Sequence, residues 1–452
     1  MPALTPTQAH ILRDPLPRLC LRLALPALVV TVLHGVNLLI DMVWAGHLLG
    51  TSAATALSVA YTLNHLLFSA EALVATGAAM TLSHALGAGK FGDAARVYRA
   101  TSALCLLLGV VLMVLGYAFA RPLLAGMGLH GPTLQLAWDY YGWFLLGMPL
   151  SLYAFASSSL LQGHGALTRM TWIWVAGIAL NALLTPCLMI LGLGIRAAAL
   201  GCIAGQVLIC IGNVGYLRYQ QGFSLSPLAA GWRVLRRMLG IGQSGFALQI
   251  VYFVQAFLVF YAVGHYGDAA DTAVMGAAYR LVLLGVYIAT GFSRALQPVL
   301  GMSMGAGDEA RARRALVVFN AAALVAVGIY WLPLMLAPSF ALHLILPSLD
   351  LRASQVGDVC IYFAILPLLP FLLTSLVWFQ SSARAAWVTW LGLARLLLLF
   401  VPAIWLLPQL LGVRGVYWSL AWMDAALFIV VLVIVARTWP RMALARAQME
   451  QS

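Results

Sequence analysis

The sequence predicts an all-α polytopic membrane protein with twelve transmembrane helices in two pseudo-symmetric six-helix lobes. Three observations carry that prediction. Of 452 residues, 63% are hydrophobic and only 8% charged, where a soluble domain carries about 25% charge. Apolar runs of roughly 20 residues, enough to cross ~30 Å of hydrocarbon, recur along the whole chain. A constant shift of 218 residues superimposes one half of the chain on the other.

The expected spans of the first half are residues 21–46, 53–82, 102–124, 133–161, 170–191 and 197–217. Those of the second half are 241–263, 274–300, 316–338, 356–378, 387–408 and 416–436. Helices are required, because backbone exposed to lipid must satisfy its own hydrogen bonds and no alternating ~10-residue pattern of a barrel is present. Around the spans, residues 1–18 form a polar N-terminal segment and the first apolar run reads as a retained signal anchor. Residues 19–221 make the N-terminal lobe and 239–437 the C-terminal lobe, with a tail at 438–452. Between the lobes, 222–238 holds Pro227, Trp232, Arg233, Arg236 and Arg237, the composition of an amphipathic helix on the membrane surface.

Internal duplication is read from identities at the fixed shift. Gly87-Ala88-Gly89 meets Gly305-Ala306-Gly307, Arg96 meets Arg314, Pro149 meets Pro367, Gln162 meets Gln380, and Thr171-Trp172 meets Thr389-Trp390. Six spans per unit is an even number, so both units enter the bilayer in the same sense. Parallel repeats of this kind are a transporter architecture, with the binding site expected between the halves near the midplane.

The net charge of +12 reports orientation. Eighteen basic residues fall on the side of both termini and of the loops after even-numbered spans, and four on the other: Arg121, Arg196, Arg352 and Arg414. The positive-inside rule therefore places both termini in the cytoplasm, and a multi-pass protein of the plasma (inner) membrane is expected. The remaining three, Arg280, Arg294 and Arg395, belong to spans 8 and 11. Basic residues dispersed between apolar runs do not make a nucleic-acid surface. Six cysteines without a C-x-x-C pair support neither a disulfide framework nor a zinc site.

Two motif-like strings fail their context. Gly240-Ile-Gly-Gln-Ser-Gly245 fits a dinucleotide fingerprint but opens a span with no strand before it, and Gly87-Ala-Gly-Lys90 is followed by Phe91 where a phosphate-binding loop needs Ser or Thr. With no ATP site, no cofactor and no metal expected, the driving force comes from an ion gradient or from none.

Ionisable groups inside spans are costly and point to function. Asp41 is the sharpest, with Asn37 one turn and His34 two turns before it on one helical face. Glu71 is the second acid, following Asn64 and His65 in span 2. Asn181 and Thr185, spaced i, i+4, precede the helix-breaking Pro186. A carboxyl in such a place takes up a proton or, with an amide or hydroxyl, coordinates a cation; the alternative for each group is interhelical hydrogen bonding. Asp41, Asn37, Glu71, Asn181 and Thr185 are therefore the expected proton or cation coupling residues. At the 218-residue shift Asp41 meets Val259 and Glu71 meets Ala289, which confines carboxylate chemistry to the first half. Asp424 and Arg395 read as a buried ion pair, Arg280 and Arg294 as structural, and Asp139 and Asp358 as solvated span ends. Tyr141, Gln162, Tyr252, Gln255 and Gln380 are the expected polar and aromatic lining of a substrate cavity.

Together, Leu23-Ala-Leu-Pro26, Asn37-Leu-Leu-Ile-Asp41, Ala45-Gly46-His47-Leu48, Gly87-Ala-Gly89, Gln162-Gly163, Asn181, Gln297-Pro298, Gly305-Ala-Gly307, Gln380 and Pro402 resemble the multidrug and toxic compound extrusion (MATE) transporters over essentially the whole chain. The resemblance implies two six-helix lobes in a V around a central cavity. It also implies antiport export of drugs, often organic cations, in exchange for H⁺ or Na⁺, with Asp41 as the cation-linked acid and Asn181 as its amide. The chain departs from the family's pattern at Thr185, where many members carry an aspartate, and at Cys202, where a hydroxyl is common. A Na⁺ site with two carboxylates is thereby disfavoured, leaving H⁺, with Glu71 in place of the missing acid.

The expected function is thus a monomeric secondary transporter, not an enzyme, exporting cationic or amphipathic drugs and toxic compounds by antiport with H⁺. The alternative is a flippase for a lipid-linked or anionic substrate, which requires basic residues along the cavity. Intramembrane prenyl transfer wants paired Asp-rich motifs for Mg²⁺, and the only adjacent acidic pair, Asp308-Glu309, is in a loop.

Overall fold

A computed structural model describes residues 6–126, 129–221, 231–345, 351–382 and 385–449. Helices α1 (Pro6–Arg13), α2 (Leu16–Leu49), α3 (Thr51–Gly87), α4 (Phe91–Gly126), α5 (Gly131–Leu146), α6 (Met148–Gly163), α7 (Leu167–Leu188) and α8 (Arg196–Gln221) make the N-terminal lobe. The C-terminal lobe holds α9 (Trp232–Tyr266), α10 (Ala269–Gly305), α11 (Glu309–Leu336), α12 (Pro338–Ile345), α13 (Ala353–Phe363), α14 (Leu369–Ser381), α15 (Ala385–Ala394), α16 (Val401–Leu411) and α17 (Val413–Met449). Among the described residues there is no strand.

Among the described residues, ten helical segments are long and apolar enough to cross a membrane, or eleven when α5 and α6, bent by 57° at their junction, count as one span. Helix α3 occupies the place of the second expected span. Its 37 residues reach roughly 55 Å, but Asn64, Glu71 and several hydroxyls lower its hydropathy. Span 4 is broken between α5 and α6, whereas span 10 remains one segment, Ala353–Ser381, with its helix interrupted by a 3-10 turn. The interruptions fall at Pro149, at the start of α6, and at Pro367, in the 3-10 turn before α14, the two prolines paired by the duplication. Proline cannot supply the backbone donor that a continuous helix needs.

Backbone geometry repeats at the same interval. Gly194 (φ 58°, ψ −142°) and Gly412 (φ 60°, ψ −142°) turn the chain identically before α8 and α17. Arg196 pairs with Asp139 at 3.2 Å and Arg414 with Asp358 at 3.4 Å, so the two acids expected as solvated span ends carry ion pairs at matching places in the lobes. The expected amphipathic linker lies partly outside the described residues. Its described portion is not separate: Arg233, Arg236 and Arg237 form the first turns of α9.

The lobes meet at the end of the bundle that carries both termini. There glycines on α3, α9 and α10 let backbones touch: a Cβ on Gly242 would stand 2.0 Å from the Leu73 carbonyl oxygen, and one on Gly87 2.1 Å from that of Met302. Arg311 adds a polar clamp, donating to the carbonyls of Ile11 and Asp14 at 2.7 and 2.8 Å. One hydrophobic core accordingly joins the N-terminal lobe to the terminus-proximal half of the C-terminal lobe, through Leu296, Leu300, Phe319 and Phe379. A second core, with Val259, Val274, Phe363 and Tyr417, contains residues of the C-terminal lobe alone. The lobes are thus sealed together at one end and separately packed at the other, which leaves a cleft open away from the termini.

Candidate functional site

Within the N-terminal lobe, α2, α3, α5, α6, α7 and α8 surround a pocket of about 70 Å³. Its formation depends on how closely α7 and α8 approach. A Cβ on Gly201 would lie 2.1 Å from Thr185 Oγ1, and one on Gly205 2.7 Å from the Gly177 carbonyl oxygen. Only glycine permits that contact, and it brings Asn181 and Thr185 of α7 against Cys202 of α8.

Asp41 is the centre of the cluster and is 1% exposed. Tyr61 donates its hydroxyl to Asp41 Oδ2 at 3.0 Å, Cys202 its thiol to the same oxygen at 3.3 Å, and Thr185 its hydroxyl to Oδ1 at 3.5 Å. Asn181 Nδ2 in turn donates to Cys202 Sγ at 3.4 Å. Two amide oxygens in the same pocket, Asn181 Oδ1 and Asn64 Oδ1, are buried without a hydrogen-bond partner among the described residues. Phe68, Phe144, Phe155 and Trp174 complete an aromatic wall, with the Phe155 and Trp174 rings edge to face at 5.0 Å. The pocket therefore holds one carboxylate, donors facing it, and free acceptors: it can receive a proton and redistribute the hydrogen bonds.

Glu71 stands apart from Asp41. It lies ten residues beyond Tyr61 on α3, roughly 15 Å along the axis, and reaches the pocket only through Ser151. Ser151 donates to Glu71 Oε1 at 2.8 Å and accepts from Gln206 Nε2 at 3.0 Å; Ser151 and Gln206 line the pocket. Glu71, expected in place of the missing acid, is thus connected to the pocket through the Ser151–Gln206 hydrogen bonds. The side chains of Asn37, His34 and His65 lie outside the described residues.

The five expected cavity residues do not share one surface. Tyr141 is buried and packs against Phe144 at 6.2 Å between centroids. Gln162 joins the lobes, donating to Gln297 Oε1 at 2.5 Å and to the Arg294 carbonyl at 3.2 Å. Gln380 donates to Ser244 inside the C-terminal lobe, and Gln255 is buried with Oε1 unpartnered. Tyr252 lies under the Arg395 guanidinium, 5.4 Å from its ring centroid. The Arg395–Asp424 pair is present, buried, at 2.9 Å, and Arg395 begins a π-helical turn, Arg395–Phe400. Arg280 and Arg294, expected as structural, have no carboxylate within 4 Å among the described residues and are exposed. Tyr61, Tyr140, Ser151 and Gln206 were missed from the sequence, where nothing separates them from ordinary span residues.

Two pseudo-equivalent lobes, a cleft between them and an acid-centred pocket in one define a membrane transporter. The MatE family model matches residues 26–187 and 245–406, one copy per lobe, and the chain belongs to this family of multidrug and toxic compound extrusion transporters. It is a transporter and not an enzyme. Among curated proteins, the FAD transporter of Shewanella oneidensis is 25% identical over 429 residues, 91% of this chain and 92% of that one. Multidrug export protein MepA of Staphylococcus aureus is 21% identical over 423 residues, covering 90% and 91%. A crystal structure of a MATE protein in a bent conformation shares the fold with a TM-score of 0.89 at 20% identity, over 99% of each chain.

Proposed function

We propose that the protein exports amphipathic drugs and toxic compounds across the plasma (inner) membrane by antiport with H⁺, as a monomer with both termini in the cytoplasm. The observation that carries this reading is the hydrogen-bond inventory around Asp41. Tyr61, Cys202 and Thr185 all donate to its oxygens, while Asn181 Oδ1 and Asn64 Oδ1 line the same pocket without donors among the described residues. The ionised carboxylate suits the three donors. A protonated one must give a hydrogen, for which the amide oxygens lining the same pocket are candidate acceptors, so protonation would exchange contacts between α2 and its neighbours α3, α7 and α8. Buried polar groups left unsatisfied are expensive, which makes the two arrangements distinct states rather than a continuum.

Helix α2 is the element that can transmit the change, because it also packs on α10 of the other lobe and contains Pro26, which interrupts its hydrogen-bond ladder. Na⁺ is the weaker choice. A hard cation wants oxygen ligands, whereas one of the groups touching Asp41 is the Cys202 thiol, a soft ligand. Among the described residues, no second carboxylate is in contact with the first.

The cationic part of the expected substrate range finds no carboxylate in the cleft: Asp41, Glu71 and Asp424, the described acids deepest in the spans, are buried within the lobes. A second reading, transport of an anionic compound, is favoured by the exposed Arg280 and Arg294. It also agrees with the similarity to the Shewanella oneidensis FAD transporter. Uptake of fluorescent amphiphiles into proteoliposomes under imposed gradients tests the main reading. A pH gradient is expected to drive transport and a Na⁺ gradient at equal pH is not; the reverse result rejects H⁺ antiport.

A further inference from the structure

The geometry points to an anion track on α10: we infer that Arg280 and Arg294 bind the acidic head group of an anionic amphiphile in the cleft between the lobes. The inference rests on the export reading and adds to it the chemical class of the cargo.

Direction along the helix places the two side chains. At 100° per residue, position 280 lies within about 20° of position 291, and Gly291 faces the N-terminal lobe, where a Cβ would meet Leu28 Cδ2 of α2 at 2.6 Å. Position 294 lies about 60° from 291 by the same count, and its carbonyl accepts from Gln162 of the N-terminal lobe. Both arginines therefore project from the side of α10 turned to the opposite lobe. Tyr287 stands midway between them on that face. The back of the helix, with Val282, Ala289 and Leu296, is buried in the hydrophobic cores.

Depth follows from the element's bounds. Helix α10 runs Ala269–Gly305, so Tyr287 is its midpoint and each arginine lies roughly 10 Å from it along the axis. Both charges thus fall inside the expected hydrocarbon depth. Arg294 sits at the floor of the cleft, where Gln162 and Gln297 join the lobes, and Arg280 nearer the open mouth. A cation at that depth is retained only with a partner, an aqueous path or a ligand. Arg395 in the same lobe shows the structural solution: it is buried against Asp424 and Tyr252. Arg280 and Arg294 have neither burial nor, among the described residues, a carboxylate. Arginine's planar donor fork matches carboxylate and phosphate groups in two-pronged contacts, and two such forks four turns apart on one wall give a head group successive holding points.

Binding to the purified protein in detergent separates this from the export reading. Carboxyfluorescein serves as the soluble anionic probe and ethidium as a cationic one, followed by fluorescence anisotropy. A second arm asks whether the anion comes from the bilayer instead, by dithionite accessibility of NBD-labelled phosphatidylglycerol in proteoliposomes. Expected is tighter binding of carboxyfluorescein than of ethidium, or protein-dependent movement of the labelled lipid. In either arm Arg294→Gln reduces the signal roughly ten-fold or more, Arg280→Gln weakens it less, and Arg294→Lys restores most of it. Ethidium binding by Arg294→Gln at wild-type strength or better reports an intact fold. The inference is overturned if carboxyfluorescein binds no better than ethidium and the lipid does not move, or if both glutamine variants leave the anionic signal unchanged. Asp41→Asn should keep static anion binding while losing gradient-driven uptake, so failure of H⁺ coupling leaves this result readable on its own.

Discussion

Tyr61 donates to Asp41 Oδ2 at 3.0 Å and thereby ties α3 to α2 at the buried acid. The same oxygen takes the Cys202 thiol at 3.3 Å, whereas Thr185 reaches the other oxygen at 3.5 Å, the longest of the three contacts. A hydrogen bond to a charged group contributes about 1.5–3 kcal/mol. Tyr61→Phe should therefore slow exchange by about ten-fold or more, and Thr185→Ala by a few-fold at most. Initial rates of dye export at matched expression give the ordering. A larger loss for Thr185→Ala than for Tyr61→Phe contradicts the described contact set.

The sealed end of the cleft rests on backbone contact through glycine. A methyl at Gly242 would lie 2.0 Å from the Leu73 carbonyl oxygen and one at Gly87 2.1 Å from that of Met302, and neither neighbour is the flexible end of a side chain. Gly242→Ala should weaken the closed interface by roughly 1–3 kcal/mol and move the population toward a conformer parted at the terminal end. Spin labels on α3 and α10 near that end should show a longer distance component in the variant; an unchanged distribution with an unchanged melting temperature argues against the packing.

Burial fixes what happens at the Arg395–Asp424 pair. Removing one partner leaves an uncompensated charge inside the lobe, which costs about 3–5 kcal/mol, while replacing both with apolar residues is often neutral. Arg395→Met should lower the melting temperature in detergent sharply, and Arg395→Met with Asp424→Leu should recover most of it. Equal melting temperatures for single and double variants count against the pair as the source of the loss.

At the open end, Asp268 caps α10. Its carboxyl accepts the Asp271 amide hydrogen and stands beside Arg352, and both hold its pKa below the usual carboxylate range. A pKa depressed on folding adds stability at pH above the unfolded value, near 3.9, and that stability is lost as pH falls through the folded value. Hydrogen exchange in the first turn of α10, corrected for the intrinsic rate, should rise as pH drops below about 4. Asp268→Asn should flatten that dependence; a variant with the wild-type profile assigns it to another group.

The lobes and their duplication were legible in the sequence because hydropathy and a fixed interval are properties of long stretches. Prolines 149 and 367 were visible as a pair, but the bend beside the first and the 3-10 turn at the second were not, since a proline near a span's middle can also kink it without interruption. Asp41, Asn181 and Thr185 stood out as polar groups in apolar surroundings, and the fold brings them together. Tyr61, Tyr140, Ser151 and Gln206 did not, because hydroxyls and amides are common in spans and only the approach of α7 to α8 through Gly201 and Gly205 gives them a shared pocket. Glu71 shows the converse: a conspicuous acid whose distance from Asp41 depends on where along α3 each helix crosses, which spacing within one helix cannot give. Arg280 and Arg294 were visible as charges, but their unpaired, exposed state is a fact of packing.

The central claim is that Asp41 takes up the proton that drives export. Proton counterflow across proteoliposomes is its most direct measure, read with a trapped pH indicator while substrate moves down an imposed gradient. Wild-type protein should carry protons opposite to the substrate, and Asp41→Asn, folded by its melting temperature, should carry none. Proton counterflow at the wild-type rate in Asp41→Asn would contradict the account.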